Sequence, residues 1–130
     1  MIEEAIKIAK RSSTGKYMMG AVIMDRHGNI LSNGWSHVPE MRRWPFFSLH
    51  AEMHALARGR HLDLDGKVCY IAAVSKKSGN VTSAMPCLHC AIALLSAGIR
   101  EVYFTLNKPP YCGIMDLNGS LRQLKVYNFQ

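Results

Sequence analysis

The sequence predicts a three-layer α/β domain with a mixed central sheet and helices on both faces. Apolar periodicity gives the order helix, hairpin, helix, strand, helix, strand along the chain. The uninterrupted apolar run at 68–74 is typical of a strand that is covered on both faces. The strand–helix–strand order over 68–105 implies a parallel pair with a right-handed crossover. Because 130 residues can close one core, we expect a single domain over 1–130.

The first predicted elements are a helix and a β-hairpin. Residues 2–9 carry one apolar helical stripe, with acids in the first turn and bases just after the last, as the helix dipole favours. Residues 18–24 form a buried strand, 25–29 turn the chain, and 30–35 return as the partner strand. A long loop rich in proline, arginine and aromatic residues follows over 36–49.

The second half of the chain alternates helices and strands. A helix is expected from 50 to about 60, a buried strand over 68–74 and an exposed turn over 76–80. The helix over 86–98 opens with proline and stops at glycine, the positions that these residues favour. Residues 101–105 form the next strand. The last 25 residues are weakly patterned, and the sequence assigns them to neither strand nor helix.

Composition narrows the class of protein. Sixteen Lys and Arg against nine Asp and Glu give a formal net charge of +7, and the 48% of hydrophobic residues excludes a disordered chain. No apolar run approaches the roughly 18 residues of a membrane span, so we expect no membrane association. Acids near the N-terminus argue against a secretory signal, and we expect a cytoplasmic protein. The charge suggests an anionic partner, with a merely solubilising role as the alternative.

Two short motifs carry residues suited to chemistry, and each lies at the predicted N-terminus of a helix. A catalytic zinc ion keeps three nitrogen or sulfur ligands and leaves one position open for water. Cys87 and Cys90 lie on one helical turn and can reach the same ion, and His50 is the candidate third ligand. Glu52 follows His50 at an offset that leaves it free to take a proton from the metal-activated water.

Two other interpretations of the cysteine pair remain open at this point. A Cys-x-x-Cys pair can be a redox centre, but a redox centre leaves His50 and Glu52 without a role. It can also be half of a structural zinc site, which needs a second pair of ligands. The spare residues for such a site are Cys69, Cys112, His54 and His89.

The order His-x-Glu followed by Pro-Cys-x-x-Cys is the signature of zinc deaminases. Over residues 2–105 the chain resembles the cytidine/deoxycytidylate deaminase superfamily. It is nearest to the deoxycytidylate and tRNA-adenosine branches, in which a helix ends in Ala-Gly-Ile before a Val-Tyr strand. The resemblance implies a cytidine-deaminase-like fold, a homo-oligomer and hydrolytic deamination. It also implies that His50, Cys87 and Cys90 hold Zn²⁺ and that Glu52 is the proton shuttle.

Predicted substrate contacts lie before and within the first motif. The resemblance implies that the Ala51 N–H binds the base, and it places Ser36 where many relatives carry an Asn that contacts the sugar or base. In the loop before His50, Arg42 and Arg43 suit a phosphate, and the Trp44 ring suits a base. The alternative for this loop is a packed surface segment.

Three functions follow from these observations. The first is zinc-dependent deamination of a free cytosine nucleotide, with dCMP to dUMP favoured. The second is deamination of a base in a polynucleotide, either cytosine in single-stranded DNA or RNA or adenosine in tRNA. The third is a catalytically silent nucleotide-binding or structural zinc protein, against which the intact pair of motifs argues.

Overall fold

Helices cover both faces of a mixed β-sheet in the structure, a computed structural model that describes residues 1–12, 16–37, 50–107, 111–116 and 121–125. The predicted α/β fold class is thereby confirmed. Within these residues, no helix has the length and apolar character that crossing a membrane requires.

The described strands form one seven-stranded sheet. The helices are α1 (Ile2–Ala9), α2 (Ala51–Arg58) and α3 (Leu88–Ser96). The strands are β1 (Tyr17–Met24), β2 (Ile30–Trp35), β3 (Val68–Ser75), β4 (Val81–Thr82), β5 (Glu101–Thr105), β6 (Tyr111–Asp116) and β7 (Leu121–Lys125). Their order is β2–β1–β3–β5–β6–β7, and β4 pairs with β3 beside this path. β3 and β5 are parallel, as predicted, and the other pairs are antiparallel.

Two apolar clusters hold the helices against the sheet. Ala55 of α2 and Leu94 of α3 pack with Ile71 of β3 on one face. Ile2 of α1 packs with Tyr70 of β3 on the other face, since successive side chains of a strand point to opposite sides. Seven of the eight residues of β3 are buried, which agrees with the uninterrupted apolar run in the sequence.

Two glycines allow helices to lie directly on strands. A Cβ at Gly34 of β2 would collide with the Ala55 nitrogen and the Ala51 carbonyl oxygen of α2. A Cβ at Gly20 of β1 would collide in the same way with the backbone of α1. Because α2 begins at Ala51, the contact at Gly34 positions the end of α2 that carries the first motif.

Three features go beyond the sequence prediction or differ from it. The weakly patterned last 25 residues contribute β6 and β7. The short strand β4 follows the predicted turn. The helix expected to open at Pro86 begins instead at Leu88. Cys87 is its N-cap because the Cys87 backbone is extended and its thiol sulfur accepts the Cys90 N–H.

Candidate active site

The two motifs lie at the N-termini of α2 and α3. His50 is the N-cap residue of α2 with φ −69°, and Cys87 is the N-cap residue of α3 with φ −66°. Cys87 Sγ accepts a hydrogen bond from the Cys90 N–H at 3.4 Å. The first N–H groups of a helix have no helical acceptor and carry the positive end of its dipole. Both helix ends therefore favour anionic groups such as thiolates and carboxylates.

His50, Cys87 and Cys90 form a cluster that fits a metal ion. Their ligand atoms all lie within 4.8 Å of one another, and His50 Nδ1 is 3.3 Å from Cys90 Sγ. In a tetrahedral site with Zn–N and Zn–S bonds of about 2.0 and 2.3 Å, ligand atoms lie roughly 3.5 Å apart. Among the residues that the structure describes, this is the one group of three His, Cys or acidic side chains so arranged. The nitrogen–sulfur donor set is one that zinc prefers.

Glu52 lies in the first turn of α2, beside this cluster. Its side chain is buried, with 2% of the residue exposed, and its carboxyl group contacts Cys90. Burial raises the pKa of Glu52, opposed by a backbone hydrogen bond and the charge of His50. Glu52 Oε1 is buried without a hydrogen-bond partner. Because buried polar atoms are normally paired, this oxygen marks a position for a ligand.

Burial also controls the chemistry of the cysteines. It raises the pKa of the Cys90 thiol, and the charge of Glu52 raises that pKa further. Since a metal ion binds the thiolate, coordination at Cys90 displaces the thiol proton. Cys69 and Cys112 are buried in strands outside the cluster, and burial raises the pKa of both thiols, that of Cys112 to about 11. His89 is exposed, and neither these cysteines nor His89 belongs to the cluster.

The predicted substrate contacts fall partly within the described residues. Ala51 is buried and is the first residue of α2, so its N–H has no helical acceptor. Ser36 is 7% exposed, and its hydroxyl hydrogen-bonds Ser12 Oγ at 2.7 Å and accepts the Met19 N–H at 3.3 Å. If Ser36 contacts the substrate, it therefore does so through a hydroxyl group that also hydrogen-bonds Ser12. Outside the described residues lie Arg42, Arg43 and Trp44.

A cluster of rings near the site was not predicted from the sequence. His54 Nδ1 accepts a hydrogen bond from the Trp35 backbone N–H at 3.1 Å, so the His54 ring is neutral with its proton on Nε2. The His54 ring packs edge-on against Trp35 and His37, with centroids 4.7 and 4.4 Å apart. Burial, and then the charges of His37 and Arg58, lower the pKa of His54. The signal available in the sequence was the four-residue spacing of His50 and His54, which places them on one side of a helix.

Two guanidinium groups flank Trp35. Arg11, just after α1, lies 5.3 Å from the ring centroid, and Arg58, in the last turn of α2, lies 5.2 Å from it. Both distances are within the range of cation–π attraction. Arg58 Nη1 also donates to Asn33 Oδ1 at 2.9 Å. A basic aromatic surface therefore links the end of α1 with β2 and α2.

A family model matches most of the chain. The family described as "Cytidine and deoxycytidylate deaminase zinc-binding region" covers residues 1–106, a span that contains both motifs. Together with the donor chemistry of the His/Cys/Cys cluster, this match identifies Zn²⁺ as the cofactor.

Relatives and solved structures agree with this match. A "Probable cytosine deaminase" of Schizosaccharomyces pombe is 26% identical over 126 residues, which are 96% of this chain and 70% of that protein. The dCMP deaminase of cyanophage S-TIM5 in complex with dCMP and dUMP is 23% identical, with a TM-score of 0.64 over 79% of this chain and 76% of that one. A cytidine deaminase from Burkholderia pseudomallei is 16% identical, with a TM-score of 0.64 over 90% of each chain. The chain belongs to the cytidine and deoxycytidylate deaminase family.

Proposed function

We propose that the protein is a zinc-dependent hydrolytic deaminase of a free cytosine nucleotide, with dCMP to dUMP as the favoured reaction. The observation that carries this proposal is the buried Glu52 carboxyl group beside the His/Cys/Cys cluster. A structural neighbour, the phage enzyme, binds dCMP and dUMP, which supports a nucleotide as the substrate class. The net charge of +7 fits an anionic substrate better than a neutral base or nucleoside.

The proposed mechanism gives each motif residue one task. His50, Cys87 and Cys90 would hold the zinc ion, which when bound would supply a Lewis acid that lowers the pKa of a water molecule toward neutrality. Glu52 takes one proton from the attacking water and delivers it to the ring nitrogen. It then carries the proton of the resulting hydroxyl group at the reacting carbon to the amino group, which leaves as ammonia. Its raised pKa suits a group that must both accept and donate a proton. The Ala51 N–H binds the base.

The remaining substrate contacts are proposed from the sequence. Arg42 and Arg43 bind the phosphate as bidentate donors, and Trp44 stacks on the base. Ser36 contacts the sugar through the hydroxyl that it shares with Ser12.

A substrate panel tests the proposed activity. Zinc-loaded protein is incubated with cytidine, deoxycytidine, their monophosphates, guanine, tRNA and single-stranded DNA, and ammonia release is measured, with the Glu52→Gln variant as the control. We expect the highest kcat/KM for dCMP and turnover by the variant that is lower by at least about 10²-fold. Turnover of the polymers alone would contradict the proposal. If no candidate is deaminated, the catalytically silent alternative is supported instead.

A base in a polynucleotide is the second candidate substrate. It is favoured by the approach of both Arg11 and Arg58 to the Trp35 ring, since basic and aromatic side chains together suit a nucleic-acid strand. A polynucleotide engages several phosphates at once, so its binding would weaken steeply with salt, whereas a mononucleotide would respond weakly. Measuring KM at two salt concentrations separates the two.

We also propose that the protein assembles as a homo-oligomer. Leu88 and Ile92 lie one turn apart on α3 and are 77% and 55% exposed, although both are large apolar residues. They lie on α3, the helix that carries Cys90, and the family resemblance implies assembly through the helices that carry the zinc ligands. Burial of this apolar surface between copies would stabilise the assembly by about 25 cal/mol per Å² of apolar area removed from water.

A further inference from the structure

A second concave surface lies at the end of the sheet opposite the candidate active site. Its walls come from three separate chain segments, namely the β1–β2 turn, the residues just before β3 and the residue just before β5. The cleft has a volume of about 380 Å³ and is lined by Asp25, Arg26, His27, Gly66, Lys67 and Arg100.

The sheet register explains why these segments meet. Met24, the last residue of β1, pairs with Val68, the first residue of β3, and Val68 pairs with Glu101, the first residue of β5. The residues that flank these three positions therefore meet at one end of the sheet. At the other end, α2 follows β2 and α3 follows β3 and β4, and each carries a zinc-site motif at its N-terminus. The eight residues of β3 span about 25 Å between the two ends.

The cleft is strongly cationic. Among the lining residues, the three cations Arg26, Lys67 and Arg100 accompany one carboxylate, that of Asp25. Arg100 also pairs with Glu101, which does not line the cleft. The Asp25 carboxylate is already bonded within its own turn. Its Oδ1 accepts the backbone N–H groups of His27 and Asn29, and its Oδ2 accepts the Asn29 side-chain amide. The positive charge in the cleft is therefore only partly neutralised by its own walls.

The cations have weak partners that an anion can replace. Arg100 Nη2 is 3.5 Å from Glu101 Oε1, in an ion pair whose Arg100 side chain is 58% exposed. Exposed pairs of this kind contribute little stability. Lys67 Nζ donates to the Asp65 carbonyl oxygen at 3.4 Å, which leaves two of its three ammonium hydrogens for other acceptors. Arg26 is exposed in the β1–β2 turn.

We propose that this cleft is a binding site for a phosphate-bearing ligand, separate from the zinc site. Guanidinium groups bind phosphate through two parallel hydrogen bonds, and an ammonium group adds a point charge. The volume is within the range of small-molecule sites. None of the lining residues belongs to the His/Cys/Cys cluster, so a phosphate here comes from a second molecule or from a distant part of a polymer.

Inorganic tripolyphosphate serves as the probe because it carries the phosphate groups that a small phosphorylated molecule and a nucleic-acid backbone have in common. Calorimetric titration of the zinc-loaded full chain should show saturable binding of one anion. The Arg26→Gln/Arg100→Gln double variant removes two exposed guanidinium groups and should weaken binding by at least about tenfold, because it removes two charged hydrogen-bond donors. A matched control, Lys10→Gln/Lys77→Gln, removes two exposed charges outside the cleft and should bind within about twofold of the wild type.

Binding of a single-stranded oligonucleotide distinguishes the two possible sources of the phosphate, a nucleic-acid backbone and a small phosphorylated molecule. If the double variant also loses binding of a single-stranded oligonucleotide, and tripolyphosphate competes with that oligonucleotide, the cleft binds a nucleic-acid backbone. If oligonucleotide binding is unchanged, the cleft binds a small phosphorylated molecule. Either result supports a phosphate site.

Three results would overturn the proposal. They are the absence of saturable binding, an equal loss in the control variant, and full displacement of tripolyphosphate by dCMP, which would place the anion at the zinc site. Thermal unfolding verifies that each variant is folded. Arg26→Gln alone, a change in an exposed turn, provides the test if the double variant unfolds.

Discussion

Glu52 is the residue on which the proposed reaction depends most directly. Changing Glu52 to Gln keeps the shape of the side chain but removes the group that accepts and donates the proton. We expect kcat to fall by about 10²–10⁴-fold, the usual contribution of general acid–base catalysis. Zinc content, measured by atomic emission, should stay near one ion per chain because Glu52 is not a proposed ligand. Activity at the wild-type level would remove Glu52 from the mechanism.

The Cys87→Ala variant gives the contrasting result. It removes one of three proposed ligands, so the purified variant should lose most of its zinc together with its activity. Cys112→Ala is the matched control because Cys112 is a buried cysteine outside the cluster. It should lose some stability through a small cavity but keep its zinc. Full zinc occupancy in Cys87→Ala would contradict the ligand assignment.

His54 gives the fold a specific dependence on pH. Its neutral ring accepts the Trp35 N–H, and its pKa is lowered below the ordinary 6.5, first by burial and then by the charges of His37 and Arg58. The unfolded chain therefore binds a proton more readily than the folded one. The contribution of His54 to stability is present above pH 6.5 and is lost as the pH falls through the lower pKa of the folded state.

The comparison that tests this is with His54→Asn, which cannot titrate. Between about pH 7.5 and pH 5, the free energy of unfolding of the wild type should fall more than that of the variant. Urea denaturation of both proteins after chelator treatment measures the difference. The histidines that do not contact His54 cancel because both chains carry them, and the measured difference includes the coupling of His54 with His37. Parallel curves for the two proteins would show that His54 is not linked to folding.

The sequence predicts that His50, Cys87 and Cys90 come together, as they do in the structure, but it does not predict the surroundings of His54. The order of His50, Glu52, Cys87 and Cys90 is a specific signal because it matches the zinc-deaminase signature. The spacing of four residues places His54 on the side of the helix that carries His50 and cannot show that the ring reaches the end of β2 instead. That contact depends on how α2 packs against the sheet.

Among the elements, α2 lies directly on β2, and Gly34 makes this close approach possible. In Gly34→Ala the new Cβ would collide with backbone atoms of α2, so the helix must move outward and displace Glu52. We expect a loss of about 1–3 kcal/mol in the free energy of unfolding, as for other overpacked sites, and weaker zinc binding. Denaturant unfolding and a competitive zinc titration measure the two effects.

Gly20→Ala provides the matched control because the same collision occurs there with α1, on the other face of the sheet. It should lose a similar amount of stability while the folded protein keeps its zinc affinity. If both variants lose zinc equally, or if Gly34→Ala changes neither property, α2 does not position the site in the way described.

Apart from the two-residue strand β4, the strands of the first 105 residues follow from local patterns, and those near the C-terminus do not. β3 could be predicted because both of its faces are buried, which produces an unbroken apolar run. β6 contains Gly113, a residue that weakens an isolated strand. In the sheet, Gly113 pairs with Phe104, and the space above the glycine is filled by the Phe104 ring. This strand therefore depends on a partner 9 positions away in sequence, which a local pattern does not show.

At the scale of the whole molecule, the exposed apolar face of α3 predicts self-association. Size-exclusion chromatography with light scattering should give a mass above that of one chain, and Ile92→Lys should shift it toward the monomer. Ile30→Lys is the control because Ile30 is 47% exposed on β2, away from α3. It should leave the mass unchanged. A wild-type monomer at micromolar concentration would contradict the proposed assembly.

The bond from the Trp35 N–H to His54 also protects the sheet from aggregation. Among the described strands, β2 is the outermost on its side of the sheet, and the free N–H groups of such a strand can pair with a strand of another molecule. His54 occupies the donor at the end of β2, and Arg58 covers the same stretch by holding the Asn33 side chain. Strand addition at this end of the edge would therefore have to break the bond to His54. Removing the imidazole would leave the Trp35 backbone N–H free to pair with a strand of another molecule, and it would also weaken the fold.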